Sequence, residues 1–320
     1  MITPLPQQAV GSAAPIRLRY RADLQYDVLE PGCDFIFNVQ AAQTPHQQVV
    51  SEIIEISQPV ARSAYVDPET SSRYLRLRAA KGPLRVYCET VLDLVQHQEA
   101  PPALGEVPIS QLPDQVLRYL YPSRYCESDR LHRFAFAQFG GLKQGYERVQ
   151  AIRDWVRGHV DFLSGTSNGN TSACDTLITK QGVCRDFAHL MIAFCRAVNI
   201  PARFATGIDY GADPALGPPD FHAYVEAYVG HRWYLFDPSG TAVPMGFIRL
   251  ATGRDAAEAA FASIFGSVKW QTPLIGIEAI AGADGVCRVP VHCENALSTD
   301  AGPHSIRAPR ENQPEPAPAP

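Results

Sequence analysis

Cys184, His222 and Asp237 follow one another along the chain, and each stands where one chemical role would need it. The cysteine lies in Lys180-Gln181-Gly182-Val183-Cys184-Arg185-Asp186-Phe187-Ala188-His189, where a glycine turn runs into an apolar helical stretch. That puts it at the positive end of a helix. A free thiol titrates near ~8.5, and a helix N-terminus or a neighbouring imidazolium lowers that value and supplies a nucleophilic thiolate. His222, in Phe221-His222-Ala223-Tyr224-Val225, is the candidate base. Asp237, in Tyr234-Leu235-Phe236-Asp237-Pro238-Ser239, is the candidate carboxylate that fixes the imidazole tautomer. The backbone amides of Arg185 and Asp186 point towards the same turn and are candidate donors to an oxyanion. Gln181 and Phe221 join Arg185 and Asp186 as candidate substrate or oxyanion residues. Asp186 also reads as a first-turn carboxylate that helps the helix start.

The histidine and the aspartate are tied together by register. Val225 to Val229 and Arg232 to Phe236 read as hairpin partners around Gly230-His231. With a two-residue turn, Val229 pairs with Arg232 and Tyr228 with Trp233. Counting back puts His222 opposite Ser239 and diagonal to Asp237 on one face, ~7–8 Å apart at the α-carbons. One more residue in the turn would send one of the two to the other face. His189 is the competing imidazole. It lies five residues after Cys184, which is ~500° of helical rotation and so ~140° away from the cysteine's direction. It reads as a packed helix histidine.

The elements that must position these groups divide the chain. Period-two patterning over Ile16 to Tyr20, Phe35 to Val39, Gln48 to Ile56, Tyr74 to Leu77 and Leu84 to Leu94 predicts an antiparallel β-sandwich-like domain over residues 1–100. Pro101-Pro102 and Leu112-Pro113 mark residues 101–113 as a linker. Residues 114–300 form the second domain, with Asp114 as an N-cap. A helix there carries Tyr146, Val149, Ile152, Trp155 and Val156 on one face. A second runs from Phe187 to Val198 and stops at Asn199 and Pro201. Strands follow over 203–208, 223–229 and 232–236. The stretch from Tyr210 to Asp220 is a candidate substrate-side loop. Residues 301–320 read as a disordered, proline-rich tail. The fold class is α+β, with helices against an antiparallel sheet in the second domain.

Composition narrows the chemistry further. The chain has 320 residues, 28 basic against 33 acidic side chains and a formal charge of −5, with no basic block. Neither nucleic acid nor an anionic membrane is an expected partner. No apolar run approaches the ~18 residues of a membrane span, and the N-terminus lacks the pattern of a secretory signal, so a cytoplasmic location is the expectation. The eight cysteines are scattered and read as free thiols. Cys174, Cys184, His189 and Cys195 lack the short pairing of common zinc sites, so no metal and no cofactor are expected. The expected partner is a peptide or protein amide substrate, and oligomeric state is open. Two rival readings remain: a peptide-binding module with a vestigial triad, and a metal-dependent hydrolase.

These same residues resemble the transglutaminase-like superfamily, which is related to the papain-like cysteine proteases. The likeness is strongest to the bacterial and archaeal members with a β-rich N-terminal region. It is carried by Thr171-Ser172-Ala173, Gly182-Val183-Cys184-Arg185-Asp186-Phe187-Ala188-His189, Ile200-Pro201-Ala202-Arg203, Phe221-His222-Ala223-Tyr224-Val225-Glu226, Trp233-Tyr234-Leu235-Phe236-Asp237-Pro238 and Gly253-Arg254-Asp255-Ala256-Ala257. The resemblance implies a papain-like core with Cys184 as nucleophile, His222 as base and Asp237 as its partner. It implies acyl transfer through a thioester, by hydrolysis or by transamidation. Ser239-Gly240 stands where Thr-Asn is commoner in the group. Val183 and Arg185 flank the cysteine in place of the Gln and Trp of the animal enzymes, so the resemblance does not extend to calcium-dependent crosslinking.

Overall fold

The computed structural model describes residues 14–29, 32–211, 219–300 and 302. Alternation builds its first strands. β1 (Ile16–Val28) buries Leu18, Tyr20, Ala22, Leu24, Tyr26 and Val28 and turns the residues between them outward, as the pleat requires. β2 (Cys33–Phe37), β3 (Gln47–Ile56), β4 (Arg62–Val66), β5 (Arg73–Ala79) and β6 (Gly82–Leu94) follow, then the short β7 (His97–Glu99). β4 is exposed along its whole length, so it has no alternation to reveal it.

The helices come next: α1 (Asp114–Leu117), α2 (Ser128–Phe139), α3 (Tyr146–His159), α4 (Ala173–Thr179) and α5 (Cys184–Ala197). The two-residue strands β8 (Asp161–Phe162) and β9 (Gln181–Gly182) flank α4. Asp114 lies inside the first turn of α1 instead of capping it. Pro113 takes the cap position, and its carbonyl accepts the Val116 amide at 2.9 Å. α5 is buried on every side from Asp186 to Ala197, the mark of a central helix. Asn199, with a φ of 66°, ends it in the left-handed conformation.

Helix α5 packs on an antiparallel sheet in the order β12-β11-β10-β13, formed by β10 (Ala202–Ile208), β11 (Phe221–Val229), β12 (Arg232–Phe236) and β13 (Ile248–Gly253). Phe187, Leu190, Met191 and Phe194 from the helix share a core with Phe204, Val225, Ala227 and Phe236. Four strands remain: β14 (Ala262–Phe265), β15 (Val268–Trp270), β16 (Leu274–Ala279) and β17 (Ala296–Ser298). β14, β15 and β16 leave the helical core, whereas β17 pairs with β7 and keeps Ala296 in that core. β15 and β16 pair with β1, and β14 pairs with β2. The sandwich is thus one sheet of β15-β1-β6-β3, with β16 also on β1, over a second of β14-β2-β5-β4.

The division into 1–100 and 114–300 therefore needs correcting. Residues 262–279 belong to the sandwich by pairing, so the helical core is inserted between strands of one sandwich. Its strands are short, and their partners lie more than two hundred residues away, beyond the reach of any local pattern. The two parts also share apolar contacts, because Ile208, Ile248 and Leu250 pack into the sandwich core. Buried charges tie them as well. Arg203 donates to Glu226 at 2.6 Å, Arg249 to the same carboxylate at 3.3 Å and to the Thr70 carbonyl at 3.1 Å. Such charges are tolerable inside a fold only when paired.

The linker reading of 101–113 is corrected too. Leu104, Val107 and Leu112 are buried, and Arg148 on α3 pairs with Glu106. Gly230, in the β11–β12 turn, donates its amide to the Gly105 carbonyl at 2.8 Å. The prolines break regular structure there, but the apolar residues between them still pack. The proline-rich tail lies outside the described residues. No helix among the described residues is long and apolar enough to cross a membrane.

Candidate active site

The turn into α5 is built around Asp186. Its carboxylate is fully buried and accepts the Val183 amide at 2.9 Å, which satisfies one of the free donors of a helix start. Gly182 makes room for it, since a β-carbon there would lie 2.7 Å from the Asp186 β-carbon. The result is Cys184 as the first residue of α5, half-buried, at the helix N-terminus. The first helical hydrogen bond runs from the Asp186 amide to the Val183 carbonyl at 2.8 Å. The Asp186 amide is thereby used and drops out as an oxyanion donor, which leaves the amides of Cys184 and Arg185 ahead of it. The Arg185 side chain is also occupied. It donates to Asp186 at 3.1 and 3.3 Å and to the Asn168 carbonyl at 2.8 Å, pinning the loop before α4.

The hairpin register is as the two-residue turn demands. Val229 pairs with Arg232, Tyr228 with Trp233 and Val225 with Phe236. Gly230 and His231 have φ of 55° and 62°, the left-handed pair that such a turn needs. His222 enters near the start of β11, and Asp237 follows β12 directly. Both are buried, at 6% and 5% exposure. His222 Nε2 lies 3.3 Å from Asp237 Oδ1, close enough for an ion pair but off the line of a straight hydrogen bond. Asp237 is itself held by the Ser239 hydroxyl at 2.6 Å and amide at 3.0 Å. Cys184 and His222 line the same cleft, and the cysteine is among the groups that favour a proton on the imidazole. The three residues that the sequence singled out therefore meet.

Electrostatics follow from that meeting. Burial works against charge on His222, but Asp237 and Cys184 outweigh it and hold the imidazole well above its ordinary 6.5. Burial likewise opposes charge on Asp237, and the facing imidazolium overcomes it, bringing the carboxyl down to about 2. His189 shows the opposite case. It is fully buried, stacked on Tyr125 at 5.0 Å, and accepts the Ala256 amide at 3.2 Å. Burial pushes it down to about 3, so it stays neutral and packed.

A cleft of about 590 Å³ opens over Cys184 and His222. Phe162, Ser164, Gly165 and Ser167 border one side, and Pro219 to Phe221 another. Phe261, Trp270, Thr272 and Pro273, from the strands that return to the sandwich, complete it. Phe221 stacks on Phe261 at 4.1 Å. Gln181 is exposed and its backbone pairs with Asp161, so the fold does not bring its side chain to this cleft. Of the stretch from Tyr210 to Asp220, residues 212–218 lie outside the described residues, while Pro219 and Asp220 line the cleft. Among the described residues no group of three His, Cys, Asp or Glu side chains is arranged to hold a metal ion.

Sequence reasoning missed two contributors. One is the aromatic wall from 261–273, which no local signal announces. The other is Asp209, whose Oδ2 lies 3.5 Å from His222 Nδ1. The β10–β11 register explains it: Gly207 pairs with His222, so a residue two further on shares that face.

Comparison with known proteins agrees with this geometry. The model of the transglutaminase-like superfamily matches residues 132–238. A crystal structure of a Cytophaga hutchinsonii protein, described as a candidate cysteine protease, superposes with a TM-score of 0.81 at 35% identity, covering 89% of this chain and 98% of that one. An uncharacterized protein of Mycobacterium leprae is 32% identical over 117 residues, 35% of this chain and 42% of the relative. One from Mycobacterium bovis is 30% identical over 124 residues, 34% of this chain and 40% of the relative. The chain thus spans about two fifths of the length of these mycobacterial relatives. Its sandwich and core together run almost the full length of the Cytophaga structure, and the chain belongs to the transglutaminase-like superfamily.

Proposed function

We propose that the chain is an enzyme of cysteine-dependent acyl transfer at an amide carbonyl, with Cys184 as nucleophile, His222 as acid and base, and Asp237 as the carboxylate that orients it. The observation that carries this reading is the His222 imidazole, 3.3 Å from a buried carboxylate and lining one open cleft with the Cys184 thiol. The Cys184 thiolate attacks the carbonyl carbon, and the oxyanion is received by the Cys184 and Arg185 amides at the helix end. His222 gives its proton to the leaving nitrogen, ammonia or an amine departs, and a thioester remains. Water or a second amine, deprotonated by His222, then releases the acyl group. Water makes the enzyme a hydrolase and an amine makes it a transamidase. A side chain held well above 6.5 carries that proton at neutral pH, so the rate declines on the alkaline side, where the imidazolium is lost.

A brief pulse of substoichiometric iodoacetamide tests the reading. Cys287 and Cys293 are exposed, and Cys184 is only half-buried. An activated thiol reacts ahead of both exposed ones, and a Cys184→Ser variant loses that label alone. Peptidyl and glutaminyl amides then leave a mass adduct on Cys184. Labelling of Cys184 no faster than Cys287 and Cys293, with no adduct, overturns the assignment.

A further inference from the structure

We infer that Asp209 is a positioning residue for His222, holding the imidazole by the nitrogen opposite the one that faces Asp237. The ring lies between two carboxylates. Asp237 Oδ1 is 3.3 Å from Nε2, and Asp209 Oδ2 is 3.5 Å from Nδ1. They reach the ring from the two strands that flank β11 in the sheet, Asp237 past the end of β12 and Asp209 past the end of β10.

The local backbone is arranged for this. β10 and β13 slip register between Thr206 and Gly207, and such irregularities re-aim the side chains beyond them. Gly207 is obligatory at the slip, because a β-carbon there would lie 2.0 Å from the Ile248 carbonyl oxygen and 2.6 Å from the Phe247 ring. Asp209 is only 4% exposed and lines the catalytic cleft. Among the described residues His222 is its sole ion-pair partner. A buried carboxylate without Arg or Lys costs the fold stability, and burial together with the Asp237 charge drives this one upward while His222 opposes them. The gain lies with the imidazole, whose positive form it favours. Asp209 faces Nδ1 as Asp237 faces Nε2, so the carboxylate keeps the ring in place when the thiol is acylated and no longer pairs with it. The other titratable groups around the ring are Cys184 at the start of α5, Asp237 after β12, Asp220 before β11, and Tyr224 on β11 with its ring 5.9 Å away.

The inference rests on the proposed pairing of Cys184 with His222, and its test is separable from that proposal. The histidines of the full chain are labelled at Cε1 and titrated by NMR, with His222 assigned through a His222→Asn variant. In Asp209→Asn the His222 midpoint falls by about 1–3 pH units, the effect expected on losing an opposite charge at this distance. Asp209→Glu recovers at least part of the fall. The alkaline limb of Cys184 alkylation moves in the same direction. If Asp209→Asn does not fold, Asp209→Ser gives the same readout from a smaller neutral side chain. A His222 titration that superimposes on the parent's in a folded neutral variant overturns the role of Asp209. If the parent's Cys184 still alkylates ahead of Cys287 and Cys293, the acyl-transfer reading survives that result; slow labelling of the parent defeats the reading itself.

Discussion

Of the two carboxylates against the His222 ring, Asp237 lies the nearer, 3.3 Å from Nε2. Asp237 is buried, braced by Ser239, and drawn down to about 2 by the imidazole it faces. Asp237→Asn keeps the shape but removes the charge and lets the ring adopt the wrong tautomer. Turnover then falls by about 10²–10⁴-fold, the range of a lost acid–base function. The KM for the same amide should change little, and a loss confined to KM would contradict the orienting role. Cys184, His222 and Asp237 were legible in sequence because each sits in a motif with chemical meaning and because the hairpin parity of β11 and β12 links two of them. Asp209 was not, since Gly-Ile-Asp-Tyr is an unremarkable string until the partner of β10 is known. Arg185, a candidate substrate or oxyanion residue in the sequence, lines the cleft and also bonds Asn168 and Asp186, clamping a neighbouring loop.

At the scale of elements, helix α5 does two jobs. Its N-terminus presents the thiol, and its body is the apolar centre of the core. His189 joins the two by filling space between Tyr125 and Phe204 as an uncharged ring. With its folded value near 3 and an ordinary value of 6.5, the unfolded chain takes up a proton that the native state refuses across that interval. The contribution is complete above about 6.5 and is lost as pH falls towards 3. The melting temperature of the parent should therefore drop over this window, and His189→Gln, which retains an acceptor for the Ala256 amide, should flatten the slope. Equal slopes in the two proteins would place the acid sensitivity elsewhere. α5 was readable from its stripe at three- and four-residue spacing, whereas the packed segment 101–113 was not: proline content predicts irregular backbone and is silent on burial.

Across the whole molecule, the core is an insertion in a sandwich that the chain leaves after β6 and rejoins at β14. A chain ended at Arg254 retains Cys184, His222 and Asp237 yet lacks three strands that cover β1 and β2. It should lose the cooperative melt of the parent and become sensitive to protease throughout the first hundred residues. A parent-like melting transition in that truncated chain would mean that the sandwich stands without them. Alternation made the early strands visible, but the late ones are three to six residues long and draw their identity from distant partners.

That path through the fold has a consequence for how the protein matures. A ribosome delivers the thiol and its imidazole well before Phe261, Trp270 and Pro273 emerge. The Cys184 thiol therefore exists for a time in a nascent chain with one bank of its cleft unbuilt, and the cleft is complete only when the last strands have closed over the first.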